Sequence, residues 1–456
     1  FSIYYLYIFA VSLENLTYIM KLYLKVIFLF CIFSNVTGFD FYGQIGAQNL
    51  GGRSVGGKLN TITTSVPFLM ITPDSRSGAM GDVGVAISPD ANSMHWNPAK
   101  LVFIDEVHDM GFSISYAPWL KNLVPDINLA YLSGYKRIDR LSTIGASLRY
   151  FSLGKITFTD AVGTEVMDFN PNEFAFDIAY SRKLSDNFSG GITAKYIYSN
   201  LTGGFGGQGG SVKNFASSVA TDLSLYYVTN PFEISDRNSS LAFGANISNI
   251  GAPMSYIDSI DSDDFLPTNL RLGSSLNVDL DEYNKFSLSF DVNKLLVPTP
   301  PIYVLDSNSQ PRFNADGTPV VFSGRDPNVG VASGIFGSFT DAPGIPIENE
   351  NGEFIGVEKN SILKEELREI NLSVGAEFLY NNLFAIRMGY FHEHWSKGAR
   401  QFATFGFGVK YQVINIDVSY ILVVNNKNSI TGQNPLGNTI RFSVNFNLGD
   451  VKDTEK

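Results

Sequence analysis

The stretch Ile440-Arg-Phe-Ser-Val-Asn-Phe-Asn-Leu448 alternates apolar and polar side chains from its first residue to its last. Side chains of a β-strand point to opposite faces in turn, so the stretch predicts a strand with one apolar and one polar face. Residues 286–293 and 414–420 repeat the alternation. The chain is therefore expected to consist mainly of two-faced strands.

The number of such segments predicts about 14 strands, an even number within the range of single-chain bacterial barrels. Most approach the roughly 9–11 residues with which a tilted strand crosses a bilayer. The remaining segments lie near residues 107–117, 127–137, 141–152, 173–183, 187–198, 216–228, 240–249, 268–279, 369–380, 383–393 and 402–411.

The connections between these segments differ in length in a regular way. Those after odd-numbered strands are mostly long and cover residues 118–126, 153–172, 199–215, 250–267, 295–368, 394–401 and 424–438. Those after even-numbered strands are mostly short, at 138–140, 184–186, 280–284, 381–382 and 412–413, with 229–239 as the longer exception. Short periplasmic turns and long outer loops are typical of a transmembrane barrel.

The two faces of the predicted strands favour an all-β, antiparallel transmembrane β-barrel. The apolar face is rich in aromatic residues, as contact with lipid requires, while the polar face needs a hydrated or hydrogen-bonded lumen. The charged members of the polar face are Arg149, Asp177, Lys195, Arg271, Asp291, Glu377, Lys410, Asp417 and Arg441. The alternative is a secreted β-sandwich whose polar face meets water.

Composition excludes several classes of protein. Charged residues make up 17% of the chain and mean hydropathy is +0.04, too low for a bundle of membrane helices. The formal charge of −11 argues against a nucleic-acid partner, because phosphate binding needs clustered Lys and Arg. The single cysteine, Cys31, lies in a segment that we expect to be removed, so no disulfide is expected.

Residues 1–38 are interpreted as an upstream extension and a signal peptide. Met20 precedes a basic region with Lys21 and Lys25 and a short apolar run at 26–33, and cleavage is expected near Gly38. Residues 1–19 are interpreted as a mis-extended gene start, with a second hydrophobic segment as the alternative. A small residue is missing before Cys31, which argues against lipidation. The mature protein is expected in the Gram-negative outer membrane.

Residues 39–105 alternate poorly and contain many Gly and Pro residues, which exclude long helices and strands. Such a polar segment is most easily stabilised inside a barrel, so we interpret it as an N-terminal hatch, or plug. The barrel is expected at 106–449 and a charged tail at 450–456.

A resemblance to a known family lies in residues 65–100, SVPFLMITPDSRSGAMGDVGVAISPDANSMHWNPAK. This run resembles the N-terminal signature of the PorV family, outer-membrane components of the Bacteroidetes type IX secretion system. The triplet Asn97-Pro98-Ala99 is also similar to a motif of the wider FadL family of 14-stranded barrels with an N-terminal hatch. The candidate motif residues of the hatch are Pro73, Asp74, Gly81, Asp82, Asn97, Pro98 and Ala99.

The resemblance implies a function that composition and periodicity do not show. Proteins of this family receive cargo with a folded C-terminal signal domain from a giant translocon barrel. They deliver it to a surface complex, where a sortase-like protease cleaves the signal and attaches the cargo to lipopolysaccharide. The implied partners are therefore the translocon, the cargo, the attachment complex and outer-membrane lipid. We expect a non-enzymatic protein without cofactor or metal.

The longest predicted loop, 295–368, contains an apolar patch with glycine spacing. Its candidate partner-binding residues are Ile335, Phe336, Phe339 and Ile345, close to Pro343. Long loops and exposed apolar patches often serve binding, but the same side chains could instead fill the mouth of the barrel. Phe205, in the glycine-rich stretch 203–210, is a further candidate contact.

Three other groupings predict little chemistry. The acidic run Asp258, Asp261, Asp263 and Asp264 lacks the spacing of a calcium-binding loop. His392 and His394 are expected on one strand face and, with Trp395, at the outer membrane interface, since two histidines without a third ligand bind metal poorly. Ser93, His95 and Asp90 lack a nucleophile elbow and oxyanion donors.

The second functional hypothesis is a FadL-like transporter of hydrophobic small molecules. It needs an apolar pocket between hatch and wall, and a break in one strand for lateral exit. Gly406, Gly408 or Gly154 could permit such a bulge, although glycines are common inside large barrels.

Overall fold

The computed structural model describes residues 60–120, 126–159, 162–201, 203–204, 213–256, 264–306, 310–315, 317–349, 354–424 and 436–449. The expected signal peptide and the charged tail lie outside these residues. The described chain forms a closed antiparallel barrel of fourteen long strands. The first and last strands pair from Met110↔Leu448 to Tyr116↔Phe442, so the sheet has no free edge.

The fourteen strands are labelled β1 to β14 in chain order. They are Met110–Pro118 (β1), Asn128–Arg137 (β2), Ser142–Ser152 (β3), Asn172–Lys183 (β4), Phe188–Asn200 (β5), Ala216–Val228 (β6), Arg237–Gly251 (β7), Asn269–Asp279 (β8), Asn284–Leu295 (β9), Asn371–Tyr380 (β10), Phe384–His392 (β11), Gln401–Tyr411 (β12), Ile414–Val423 (β13) and Ile440–Leu448 (β14). The predicted barrel is confirmed, and the sandwich alternative is wrong because the sheet closes on itself.

The loop lengths follow the predicted alternation. Between β10 and β11, Asn381 and Asn382 both have φ 51°, the left-handed conformation that a tight hairpin turn uses and that Asn tolerates. The long connections contain short elements: the strand pairs Ile156–Thr159 with Glu165–Phe169, Ile302–Tyr303 with Val321–Ser323, and Pro346–Glu348 with Phe354–Val357, and the helices Val331–Gly337 and Ser361–Arg368. The longer turn after β6 holds Phe232–Ile234, which pairs with β7.

The two faces of the barrel wall differ as expected. Large apolar side chains such as Ile114, Leu132 and Phe407 are exposed on the outside. The predicted charged residues of the polar face are buried inside, except Lys195 and Lys410, which are half-buried. The described helices include none with the length and apolar character needed to cross a bilayer.

Residues 60–105 lie inside the barrel and form four short helices, Pro67–Met70, Ser75–Gly78, Ser93–Trp96 and Pro98–Phe103. Nearly every residue from 72 to 102 is buried. The core of the molecule is thus the contact between this hatch and the inner wall, with clusters of aliphatic and aromatic side chains where the hatch meets β1 to β6.

Glycines of the inner wall allow the hatch backbone to approach closely. A Cβ at Gly389 would lie 2.0 Å from the Met80 carbonyl carbon, and one at Gly244 would lie 2.3 Å from the Val85 oxygen. The hatch contributes Gly81, which has φ +70° and whose Cβ would lie 2.5 Å from the Tyr390 nitrogen. These positions are reserved for glycine because two backbones meet there.

Gly81→Ala is expected to lower the free energy of unfolding by about 1–3 kcal/mol more than Gly317→Ala does. Both glycines have positive φ, but a Cβ at Gly317 meets no atom within 4 Å. The Gly317→Ala substitution therefore measures the cost of backbone strain alone. Urea unfolding in detergent micelles measures the difference. Equal losses in the free energy of unfolding for the two variants would show that the hatch backbone and β11 are not in close contact at Gly81.

Candidate functional site

Asn97, the first residue of the triplet, joins two parts of the hatch to the wall. Its Nδ2 donates to the carbonyl oxygens of Val85 (3.0 Å) and Leu225 (2.9 Å). Its Oδ1 accepts from the Ala99 N–H at 3.2 Å and so caps the helix that begins at Pro98. An aspartate could not replace it, since Asp has no side-chain N–H to donate.

Pro98 and Ala99 extend this seam across three strands. Ser181 Oγ of β4 donates to the Pro98 oxygen and Ser189 Oγ of β5 to the Ala99 oxygen, both at 2.6 Å. The Ala99 N–H donates to Ser224 Oγ of β6 at 3.1 Å. All three triplet residues are buried. The triplet therefore positions the hatch on the wall.

The other predicted motif residues also serve the hatch. Asp74 caps the helix Ser75–Gly78 by accepting from the Ser77 N–H, and it accepts from Trp96 Nε1 at 2.7 Å. The Gly81 N–H donates to Thr404 Oγ1 of β12 at 2.8 Å. Asp82 lies 3.7 Å from Arg441 of β14. Pro73 is buried beside them.

Arg76, which sequence reasoning missed, makes a bidentate ion pair between hatch and wall. Its Nε and Nη2 donate to the two carboxylate oxygens of Glu377 at 3.2 and 2.9 Å, and its Nη1 donates to Asp90 at 3.2 Å. Such a bidentate pair is strong and geometrically specific. The wall continues the network, because Arg387 bonds both Glu377 and Asp417 at 2.6 Å.

Arg76→Gln is expected to cost about 3 kcal/mol, because it leaves part of the buried Glu377 charge unpaired. The matched control, Lys155→Gln, breaks an exposed pair with Asp168 and should leave stability unchanged. Urea unfolding measures the first effect, and ion conductance in planar bilayers measures whether the hatch loosens. An Arg76→Gln protein as stable and as tightly closed as the control would contradict this role.

The residues Ser93, His95 and Asp90 do not assemble into a catalytic triad. His95 Nδ1 lies 2.6 Å from an Arg149 nitrogen, so this ring nitrogen accepts a hydrogen bond from the guanidinium. Ser93 Oγ instead accepts from the backbone N–H of Asp90 at 3.2 Å, while the Asp90 carboxylate pairs with Arg76. The three side chains serve the packing of the hatch.

The predicted apolar patch of the long loop divides into exposed and buried parts. Phe336, on the helix Val331–Gly337, is 78% exposed, and Phe339 just after it is also exposed. Ile335 and Ile345 are half-buried and Pro343 is buried. Part of the patch is therefore buried in the loop and the two phenylalanines are exposed, and a role of the patch in partner binding stays a prediction.

A group of buried charges holds this loop, residues 296–370, which we call the outer module. Lys294 at the end of β9 pairs with Glu366 (3.3 Å) and Glu369 (2.6 Å), and Lys397 pairs with Glu365 (2.7 Å) and Glu369 (3.0 Å). These side chains are nearly inaccessible to solvent. Alternating opposite charges at this spacing fix the helix Ser361–Arg368 against the barrel rim.

Backbone groups complete the same arrangement. The N–H groups of Ala342 and Gly344 donate to Glu366 and Glu365 at 2.9 and 2.7 Å. Asn60, at the start of the described hatch, donates to Glu365 and to the Pro300 oxygen, both at 3.1 Å. The outer module is therefore attached to strand, loop and hatch at once.

The expectation that His392 and His394 share a strand face is wrong. Strand β11 ends at His392, and the Glu393 N–H bonds the Arg400 oxygen across the following loop. His394 is consequently buried, with Nδ1 2.9 Å from Ser396 Oγ, rather than in the membrane interface. In the described chain no three His, Cys, Asp or Glu side chains converge as metal ligands.

Burial lowers the pKa of His394 to about 3, and nearby Arg368 adds to the effect. The unfolded histidine has a pKa near 6.5 and binds protons first, so stability should fall as pH drops from about 7 towards 3. His394→Asn, which can still accept from the Ser396 N–H, should reduce this fall. The melting temperature of the unaltered protein and of His394→Asn, measured against pH, tests this prediction. Parallel curves for the two proteins would show that His394 is not the group responsible.

Two predicted features lie wholly or partly outside the described residues. Phe205 belongs to one such segment, as do Asp258, Asp261 and Asp263 of the acidic run. Asp264 is described, and its backbone pairs with Met254.

Comparison with known proteins gives two kinds of finding. A search of curated protein sequences finds no match. Among solved structures, the TodX deltaS2S3 mutant monoaromatic hydrocarbon channel is 14% identical with a TM-score of 0.43, covering 81% of this chain and 96% of that one. A Pseudomonas aeruginosa FadL homologue is 12% identical with a TM-score of 0.37, covering 83% and 99%. At these values the likeness carries no argument about function.

The sequence itself identifies the family. The family model for the type IX secretion system protein PorV matches residues 55–302, just over half of the chain. The match spans most of the hatch, including the seam at Asn97, and the first nine strands of the barrel. The chain therefore belongs to the PorV family of type IX secretion system proteins.

Proposed function

We propose that this protein binds secreted cargo through its C-terminal signal domain at the translocon and carries it to the surface attachment complex. Family membership and the closed barrel support an outer-membrane component of a type IX secretion system. The observation that carries the finer proposal is an outer module that is rigidly anchored and yet exposes Phe336.

The filled lumen supports a binding role rather than a channel for protein. Arg76 and the Asn97 seam hold the hatch to opposite parts of the wall. Nearly every residue from 72 to 102 is buried, so the hatch occupies the lumen through which a folded signal domain would have to pass. Cargo must therefore meet this protein on its outer surface, where the long loops lie.

Phe336 has the properties of a contact residue. Large aromatic side chains contribute disproportionately to binding energy when a partner buries them. A phenylalanine that is 78% exposed on a short helix gains more from such burial than the half-buried Ile335 beside it. The charge pairs beneath the module keep its position constant, which lowers the entropy lost on binding.

Transport of hydrophobic small molecules, the alternative, has less support. Gly406 and Gly408 lie in unbroken register with both neighbouring strands, and Gly154 lies beyond the end of β3. A Cβ at Gly406 would lie 2.5 Å from Ala79, so this glycine accommodates the hatch.

The barrel strands do contain one register shift, between Ile247 and Ile250 of β7 where it pairs with β6. Asn249 occupies it: its Oδ1 accepts from Lys195 at 2.6 Å, and its N–H donates to Asp222 at 2.7 Å. The irregularity is therefore filled by hydrogen bonds and leaves the wall closed.

Phe336→Asp is expected to reduce cargo recovered with the tagged protein from native membranes by about 30-fold or more, the loss typical of an aromatic hot spot. The matched control is Ile355→Asp, which changes a 63% exposed apolar residue elsewhere in the outer module. Both variants should show the same change in electrophoretic mobility on heating as the unaltered protein, which shows that their barrels are folded. Full cargo capture and secretion by Phe336→Asp would refute the proposed contact.

A further inference from the structure

The helix Ser361–Arg368 presents its charged face to the protein and its apolar face to the outside. Glu365 and Glu366 are buried, whereas Leu363 is 66% and Leu367 39% exposed. Leu363 and Leu367 are four residues apart and so share one face. This is the reverse of the usual surface helix, whose apolar side packs on the core.

The ion pairs beneath the helix fix this orientation. Glu365 pairs with Lys397 and Glu366 with Lys294, and all four side chains are nearly excluded from solvent. Rotating the helix to bury its leucines would leave these charges without partners, at a cost of several kcal/mol. The exposed leucines are thus imposed by the structure.

Lys294 also locates the helix at the rim of the barrel, because β9 ends at Leu295. On β9, Asp291 and Asn293 point inward: Asp291 accepts from the hatch N–H groups of Gly84 and Val85. By strand alternation Lys294 belongs to the outward row, with Phe290 and Val292. Since Lys294 bonds Glu366 and Glu369, and β10 begins at Asn371, the helix lies at the outer ends of β9 and β10, where the wall leaves the bilayer.

A basic flank accompanies the exposed leucines. Lys364 is exposed and Arg368 half-buried, again four residues apart, next to the face of Leu363 and Leu367. Helices that lie in a membrane interface combine leucines on one side with Lys and Arg on the other, the cations meeting anionic headgroups.

We propose that the helix Ser361–Arg368 lies in the headgroup region of the outer leaflet. Leu363 and Leu367 enter the boundary with the acyl chains, and Lys364 and Arg368 meet the phosphates of anionic lipid headgroups. The proposal does not depend on cargo binding, and it assigns Leu363 and Leu367 to lipid while Phe336 stays with the protein partner.

The experiment labels single cysteines with the polarity-sensitive dye NBD in a Cys31→Ser background. Leu363→Cys reports the helix face, and Ser333→Cys, exposed on the helix Val331–Gly337, is the control. The labelled full-length proteins are reconstituted into vesicles of phosphatidylethanolamine and phosphatidylglycerol, with and without a phosphatidylcholine that carries a nitroxide on its acyl chain.

The NBD group at position 363 should emit at shorter wavelength than at 333, and the nitroxide lipid should quench it at least about twofold. The additional change Lys364→Gln should weaken quenching in the anionic vesicles. If the NBD group at position 363 emits as in water and is not quenched by the nitroxide lipid, the proposal is wrong. If its emission shifts only when the translocon barrel is added, the proposal is also wrong, and the helix face binds a protein partner instead. Equal quenching at 363 and 333 would also overturn it, because the helix face would then have no special role.

Discussion

Backbone hydrogen bonding in lipid is the constraint on which this structure depends. An unpaired N–H or C=O in the bilayer costs several kcal/mol, so a sheet in a membrane must close. The register from Met110↔Leu448 onward closes it, and the stacked rings of Phe112 and Phe446, 4.6 Å apart, lie at the same seam. Closure turns one row of every strand inward, and it thereby creates a polar lumen that must itself be filled.

The hatch fills that lumen with groups that match the wall. Hydrogen bonds of Asn97, Pro98 and Ala99 join it to β4, β5 and β6, and Arg76 joins it to Glu377 on β10. A buried charge is tolerated there because each member of the network has a partner. The interior of the barrel is therefore occupied by the protein's own chain.

Much of the fold could be predicted because alternation and loop length are local properties. The segment 440–448 predicts its strand from side-chain order alone, and Asn381 with Asn382 predict a tight turn. The contacts of the candidate site are harder to predict from the sequence. The hatch motif was recognised from residues 65–100, but Arg76 was not, because its partner Glu377 lies 301 residues away. His394 was misplaced because alternation does not reveal where strand β11 ends.

The sequence by itself determined a two-faced β-strand protein with a glycine-rich segment before the strands, since period and composition need no knowledge of partners. The tertiary structure alone decided which residues meet. Strand register brought Glu377, Arg387 and Asp417 to Arg76, and the pairing of Lys294 and Lys397 with Glu365, Glu366 and Glu369 turned Leu363 outward. Pairings across hundreds of residues depend on closure, and closure is a property of the whole sheet.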